Sequence, residues 1–198
     1  MVKVILGGEA EVRIHKDTVE KIRIRKRYRI SELDEVLRKK RTVTEAKIIS
    51  SARRSGVPTP VILDVENFTI TMERIDGQPV RDAINPDVAE EIGKSVAKLH
   101  SAGIVHGDLT PMNMILKDGR VYFIDFGLAY HDDRIEAKGV DIHVFYEALK
   151  ADFDNWAELW QGFLEGYSEY EKYGQVLERF REIEMRGRYI DKSDANFE

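Results

Sequence analysis

The stretch His106-Gly107-Asp108-Leu109-Thr110-Pro111-Met112-Asn113 decides the fold, together with Asp125-Phe126-Gly127 a short way further along the chain. Between the two lies Lys117-Asp118-Gly119-Arg120, whose Asp-Gly pair is a strong signal for a two-residue β-hairpin turn. Antiparallel strands that fold back from this turn bring residue 113 next to residue 124 or 125. The sequence therefore predicts that Asn113 and Asp125 meet at the open end of a hairpin.

This pairing of side chains predicts a metal site. An amide oxygen beside a carboxylate suits a hard cation such as Mg²⁺, which keeps its other positions for water and phosphate oxygens. Asp108 lies on the loop that enters the same site, where a carboxylate can orient an attacking hydroxyl or water, or take its proton. The alternative is that Asp108 and Asn113 only cap backbone groups of a loop. Two motifs at this spacing favour the chemical interpretation.

The residues on either side of these motifs predict an α+β fold. The first part is rich in strands, and the part after residue 80 is mostly helical, with a helix capped by Asn85 and opened by Pro86. Three further helices are expected after Gly127. In the first part, apolar spacing predicts strands over residues 2–6, 11–14, 19–24, 61–65 and 68–72, one helix opening at Ser31 and a second at Thr42.

Composition excludes several classes of protein. The chain has 198 residues, a formal net charge of −5 and no cysteine, so a disulfide framework, a thiolate zinc site and a cysteine nucleophile are impossible. Its apolar runs are too short for a signal peptide or a membrane span, which predicts a soluble cytoplasmic protein. Residues 21–54 hold thirteen Lys and Arg against four Asp and Glu. Such a segment either binds nucleic acid or an acidic partner, or is a solvated helix face.

The motifs resemble the catalytic loop and the metal motif of protein kinases. The resemblance implies a minimal bilobal kinase-like fold, with a β-rich N-lobe over residues 1–73 that carries two helices and binds ATP, and a truncated helical C-lobe over residues 74–198. It implies that Lys21 holds the ATP phosphates and that Glu45 orients Lys21. The neighbouring cations Lys16, Arg23 and Arg25 leave the choice of Lys21 open, and a surface lysine on an edge strand is the alternative. Glu45 has a rival role, because Thr42-Val43-Thr44-Glu45 also reads as a capping box.

Further site residues follow from the same resemblance. Asp141 would brace the backbone of the catalytic loop, although an exposed position on its helix is the alternative. The loop that contacts the phosphates lacks the usual Gly-x-Gly-x-x-Gly pattern. The residues implied for this loop are Gly7, Gly8, Glu9 and Ala10, and those implied for the adenine pocket are Met72, Glu73 and Ile75, the last two through main-chain hydrogen bonds.

Three departures from ordinary protein kinases narrow the family. The phosphate loop is changed, His106-Gly107-Asp108 lacks the arginine that receives an activation-loop phosphate, and the region after Gly127 is short and has no Ala-Pro-Glu motif. With these departures the chain resembles the atypical kinase subunit of the KEOPS complex. The likeness includes Gly8-Glu9-Ala10-Glu11, Tyr28-Arg29-Ile30-Ser31-Glu32-Leu33-Asp34, Met72-Glu73-Arg74-Ile75-Asp76-Gly77 and Ile124-Asp125-Phe126-Gly127-Leu128-Ala129.

This family resemblance implies a function and partners. It implies a serine/threonine kinase or ATPase that uses ATP and Mg²⁺ and takes part in forming threonylcarbamoyladenosine in tRNA. The implied partners are the threonylcarbamoyl transferase subunit, a small regulatory subunit on the N-lobe, and tRNA bound through residues 21–54 with Arg186 and Arg188. Two alternatives remain open, namely a RIO-like atypical kinase and a non-catalytic scaffold that binds tRNA and partner subunits.

Overall fold

The computed structural model describes residues 2–194, with side chains described as far as residue 186. Its first part is an antiparallel sheet of five strands in the order β1-β2-β3-β5-β4. The strands predicted from the sequence are all present, with ends shifted by one residue or so. They are β1 (Lys3–Leu6), β2 (Ala10–Ile14), β3 (Thr18–Arg23), β4 (Ile62–Glu66) and β5 (Thr69–Glu73).

A single helix, α1 (Ser31–Arg54), replaces the two helices predicted in this part of the chain. The prediction of a second helix opening at Thr42 is wrong because no glycine or proline interrupts the segment. The Thr42 hydroxyl donates to the Arg38 carbonyl one turn earlier, at 2.9 Å, and so does not cap a helix start. The second half of α1 packs on the sheet, where Ala46 contacts a small core of Ile70 and Met72.

The second part of the chain is helical, with short strands between the helices. Asn85 accepts a hydrogen bond from the Val88 amide at 3.0 Å, which confirms the predicted helix cap. The segment after Glu73 contains a short strand that pairs with the hairpin. The elements are β6 (Gln78–Pro79), α2 (Pro86–Ser101), β7 (Ile104–Val105), β8 (Met114–Lys117), β9 (Arg120–Phe123), β10 (Tyr130–His131), α3 (Ile135–Asp152), α4 (Trp156–Tyr167) and α5 (Tyr173–Asp194).

The hairpin of β8 and β9 has the predicted register. Its turn places Asp118 at φ 50° and Gly119 at φ 73°, the left-handed pair that a two-residue hairpin loop requires. Met114 pairs with Phe123 at the other end. Beyond that pair the Ile124 amide donates to the Asn113 carbonyl at 3.0 Å. Residues 113 and 124 are therefore neighbours, as expected.

The segment that follows Gly127 is short and attached to the strand that precedes the catalytic loop. Tyr130 and His131 of β10 pair with Val105 and Ile104 of β7. Gly107 has φ 78°, and a Cβ atom there would lie 2.5 Å from the Leu128 carbonyl oxygen, so this close crossing requires glycine. Among the described residues, no helix has the length and apolar character needed to span a membrane.

Candidate active site

A cleft of about 540 Å³ lies between the five-stranded sheet and the hairpin. Side chains from β3 and β5 line one wall, and the ends of the hairpin line the other. Of the residues predicted for the site, those that line this cleft are Lys21, Met72, Glu73, Ile75, Asn113 and Asp125. The fold thus gathers residues from widely separated parts of the sequence around one space.

Lys21 joins the two walls of the cleft. Its Nζ donates to Glu45 Oε1 at 2.7 Å and to Asp125 Oδ1 at 2.7 Å. The predicted pair of Lys21 and Glu45 is thereby confirmed, and the rival capping role of Glu45 is wrong, since Glu45 lies in the middle of α1 and is 2% exposed. Glu45 itself is not among the residues lining the cleft and reaches it only through Lys21.

The surroundings of Lys21 and Asp125 favour the ionised form of each side chain. Burial alone would lower the pKa of Lys21, but the neighbouring carboxylates of Glu45 and Asp125 raise it above its usual value. Burial alone would raise the pKa of Asp125, but Lys21 and the Gly127 amide, which donates to Asp125 Oδ1 at 2.8 Å, lower it. Asp125 therefore stays a carboxylate at neutral pH, as a ligand for a cation must.

Asp108 and Asn113 are held together beside the open end of the hairpin. Asn113 Nδ2 donates to the carbonyl oxygen of Asp108 and to its Oδ2, both at 2.9 Å. These bonds use the amide nitrogen and leave Oδ1 of Asn113 as an oxygen ligand. The side chain of Asp108 is exposed, which suits a group that meets an incoming acceptor.

Asp141 of α3 holds the backbone of the catalytic loop. Its two carboxylate oxygens accept from the amides of His106 and Gly107, each at 2.8 Å, and His100 Nε2 lies 3.1 Å from Oδ2. Burial alone would raise the pKa of Asp141, but the hydrogen bond and charge of His100 lower it. At 1% exposure Asp141 is buried, so the bracing contact is confirmed and the exposed alternative is wrong.

The predicted phosphate loop lies over a second cavity of about 390 Å³ that adjoins the first. This cavity is lined by Gly7, Gly8, Glu9 and Ala10 together with Lys21, Asp108 and Asp125. The loop closes on itself, since the Gly7 amide donates to the Ala10 carbonyl at 2.9 Å. Glu9 Oε2 lies 2.8 Å from Arg41 Nη1, which ties the loop to α1.

At the adenine end of the cleft the expected residues are present, with one restriction. Met72 is 4% exposed and lies on β5 beside Glu73. The Glu73 amide donates to the Val61 carbonyl at 2.8 Å, so it is already used within the sheet. A main-chain contact from Glu73 to a ligand would therefore have to come from its carbonyl oxygen.

One residue at the centre of the site was not singled out from the sequence. Arg23, which entered the sequence argument only as a neighbour of Lys21, is 4% exposed and pairs with Glu45 Oε2. The signal for it is the alternation of β3, because residues 21 and 23 point to the same side of the strand. Of the two predicted tail arginines, Arg186 is exposed on α5 and the side chain of Arg188 lies outside the described residues.

The site fits a magnesium ion only together with a polyphosphate. Within the described residues, no group of three or more His, Cys, Asp and Glu side chains could hold a metal. Asn113 and Asp125 supply two oxygen ligands, and Mg²⁺ commonly takes so few from a protein while phosphate oxygens and water supply the rest. The donor set therefore suits a metal that arrives with a nucleotide.

Comparison with known proteins gives consistent matches. A family model described as the RIO domain matches residues 3–141. A "Probable serine/threonine-protein kinase BUD32 homolog" of Archaeoglobus fulgidus is 58% identical over 96% of this chain and 97% of its own length. The "KEOPS complex subunit Bud32" of Pyrococcus abyssi is 46% identical, over 88% of this chain and 86% of that protein.

One further relative is a much longer protein, and one solved structure shares only the fold of this chain. A "Probable bifunctional tRNA threonylcarbamoyladenosine biosynthesis protein" of Methanoculleus marisnigri is 47% identical over 93% of this chain, which spans only 35% of that longer protein. The solved structure of a Rio2 kinase complex with ADP, Mg²⁺ and phosphoaspartate from Chaetomium thermophilum has a TM-score of 0.65 at 18% identity, covering 93% of this chain and 70% of that one. The likeness to this structure concerns the fold alone.

Proposed function

Because this chain belongs to the RIO-domain family and, within it, to the Bud32 proteins, we propose that it is an ATP-dependent serine/threonine kinase or ATPase. It would act as the kinase subunit of a KEOPS complex in the formation of threonylcarbamoyladenosine in tRNA, as the names of its relatives suggest. The observation that carries the catalytic part is Lys21, which joins Glu45 and Asp125 in one cleft. Because the RIO-domain model and the Bud32 relatives match the same chain, the RIO-like alternative and the KEOPS kinase predicted from the sequence belong to one family.

Each predicted site residue has a role in this proposal. Lys21 holds the nucleotide phosphates, and Glu45 keeps it in place. Asn113 and Asp125 hold Mg²⁺, which neutralises charge on the phosphates when it is bound. Asp108 orients the attacking hydroxyl or water and accepts its proton. Adenine lies against Met72, Glu73 and Ile75, and the phosphate loop is formed by Gly7, Gly8, Glu9 and Ala10.

The scaffold alternative is less well supported by the geometry. A protein that only binds partners has no use for a buried Lys–Glu pair whose lysine also reaches a metal-type carboxylate. Burying such charges is costly unless they are paired and hydrogen-bonded with good geometry. The contacts of Lys21, Asp125 and Asn113 therefore favour a working nucleotide site.

The proposed partners include both protein and RNA. The turn before α1 and the first half of α1 expose apolar side chains that a partner on the N-lobe would cover. They are Tyr28 and Ile30 of the turn, at 79% and 72% exposure, and Leu33 and Val36 of the helix, at 52% and 62%. We place the small regulatory subunit there. The threonylcarbamoyl transferase subunit is the second proposed protein partner, and a tRNA-modifying complex would act in the cytoplasm.

The tRNA proposal rests on fewer charges than the sequence suggested. Lys21, Arg23 and Arg38 of the basic segment are engaged by internal carboxylates. Arg25 and Arg27 remain exposed at the end of the sheet. If they contact tRNA phosphates, replacing both with glutamine should weaken tRNA binding and flatten its salt dependence in filter-binding assays. Unchanged salt dependence would remove this segment from the RNA surface.

The catalytic proposal is tested by Asp125→Ala. Loss of this metal-type ligand should lower Mg²⁺-dependent ATP turnover by about 100-fold or more. Turnover is measured with labelled ATP on the purified complex, and Asp87→Ala, an exposed carboxylate in the first turn of α2, serves as the matched control. Turnover that survives Asp125→Ala would exclude both the kinase and the ATPase activity.

A further inference from the structure

Arg23 is a buried cation at the centre of a chain of ion pairs. Its Nη2 pairs with Glu45 Oε2, its Nη1 lies 3.5 Å from Glu9 Oε2, and its Nε is buried without a hydrogen-bond partner. A buried guanidinium is costly unless several of its donors are satisfied. A half-satisfied arginine between a helix and a phosphate-loop residue calls for a functional explanation.

Two cations share the single carboxylate of Glu45. Lys21 Nζ donates a hydrogen bond to Oε1 at 2.7 Å, and Arg23 Nη2 donates to Oε2. With both oxygens held, Glu45 cannot turn away from Lys21 without abandoning a buried charge. Arg23 thus holds the pair of Lys21 and Glu45 in its arrangement.

The same arginine connects this pair to the phosphate loop. Glu9 lies between Arg23 on β3 and Arg41 on α1, at 2.8 Å from Arg41 Nη1. Although burial raises its pKa, the hydrogen bond and charge of Arg41 and the charge of Arg23 lower it, so Glu9 is ionised at neutral pH. The loop residues, Arg23, Lys21 and Asp125 all line the 390 Å³ cavity.

We propose that Arg23 is a positioning residue for the nucleotide phosphates, acting through Glu45 on Lys21 and through Glu9 on the phosphate loop. It compensates for the absent Gly-x-Gly-x-x-Gly pattern of that loop, because an ionic link holds the loop where its own backbone pattern does not. This inference rests on the proposed nucleotide site. It assigns Arg23 no contact with the substrate and no part in proton transfer.

The test compares affinities for ATP and for adenosine, both measured with Mg²⁺ by calorimetry or competition. In Arg23→Gln the affinity for ATP should fall about tenfold, as expected when one charge-assisted interaction is lost, while adenosine binds as before. Arg23→Lys should recover part of the loss, since it keeps the charge but not the two-pronged contact. Arg181→Gln, which alters an exposed arginine on α5 far from the cleft residues in sequence, is the matched control and should match the unmodified protein.

A second variant keeps the inference testable if Arg23→Gln does not fold. Glu9→Gln removes the exposed end of the chain of ion pairs, and it should lower affinity for ATP relative to adenosine. In the double variant Glu9→Gln with Arg23→Gln, the loss should equal that of Arg23→Gln alone, because both residues act in one chain. Additive losses would contradict the proposed chain.

The outcomes separate this inference from the function on which it rests. If the unmodified protein binds adenosine as tightly as ATP, the nucleotide-phosphate site itself fails. If it prefers ATP, and Arg23→Gln or Glu9→Gln keeps the same preference, only the role of Arg23 is overturned. Equal weakening for ATP and adenosine would mean a general structural role and would also overturn it.

Discussion

At the scale of single residues, Asp141 supports the catalytic loop from beneath. Replacing it with asparagine puts an amide group where two backbone N–H groups and His100 now meet a carboxylate. Asp141→Asn should lower the free energy of unfolding by about 2–4 kcal/mol, because buried donors lose a charged acceptor. ATP turnover should fall more than ATP affinity. Urea denaturation and single-turnover kinetics measure the two effects, with the exposed Asp154→Asn as control.

The buried side chain of His106 makes the stability of the folded protein depend on pH. Burial among Phe123 and Phe126 disfavours the charged ring and lowers the pKa of His106. The unfolded chain takes up this proton below about pH 6.5, whereas the folded chain does so only at lower pH. The free energy of unfolding should therefore decline as pH falls from about 7 toward the folded pKa. Urea denaturation should show a smaller decline in His106→Gln; an identical decline would contradict the assignment.

The site residues could be predicted where the spacing of motifs along the sequence indicated them. Asp108, Asn113 and Asp125 followed from two motifs and a hairpin turn, whereas the pairing of Lys21 with Glu45 was implied by the resemblance to protein kinases. Arg23 did not, because a second charge on a strand reads as an exposed position until its partner on α1 is known. For Asp141, the helix pattern was equally compatible with a buried and an exposed position, since it does not show that the buried amides of His106 and Gly107 need an acceptor.

At the scale of elements, the β8–β9 hairpin sets the spacing between Asn113 and Asp125. Gly119 has φ 73° with open space around it, so Gly119→Ala tests backbone strain alone. The substitution should cost about 1–2 kcal/mol of unfolding free energy and weaken the Mg²⁺ dependence of ATP binding. Thermal unfolding and titration with Mg²⁺ measure these effects. Gly174→Ala, also in open space but near the start of α5, should be neutral or slightly stabilising.

The strands were predictable because their apolar residues alternate between clear turn signals. The misplaced break in α1 arose from Thr42-Val43-Thr44-Glu45, which has the pattern of a capping box. Within a continuous run of helix-forming residues the same threonine bonds backward to Arg38 instead. The two-residue strands β6, β7 and β10 exist only through pairing with distant partners, so no local pattern indicates them.

At the scale of the whole molecule, the exposed apolar side chains of α1 and of the turn before it predict where a partner binds. Leu33→Glu combined with Val36→Glu should abolish binding of the small regulatory subunit in co-purification, because charges would enter an apolar interface. ATP turnover of the isolated chain should not change. Leu63→Glu, which alters an equally exposed residue on the edge strand β4, is the control. Binding that survives the double variant would place this partner elsewhere.

The pairing of β10 with β7 has a consequence for how such an enzyme is regulated. Many kinases are turned on when a long segment at this point is phosphorylated and reorders. Here that stretch is brief and bonded to its neighbour through Tyr130 and Val105. Amide exchange across residues 128–132 should accordingly be as slow without nucleotide as with it. The moment of phosphate transfer would then be set by the macromolecule that brings the acceptor, because the active site of this chain needs no rearrangement to work.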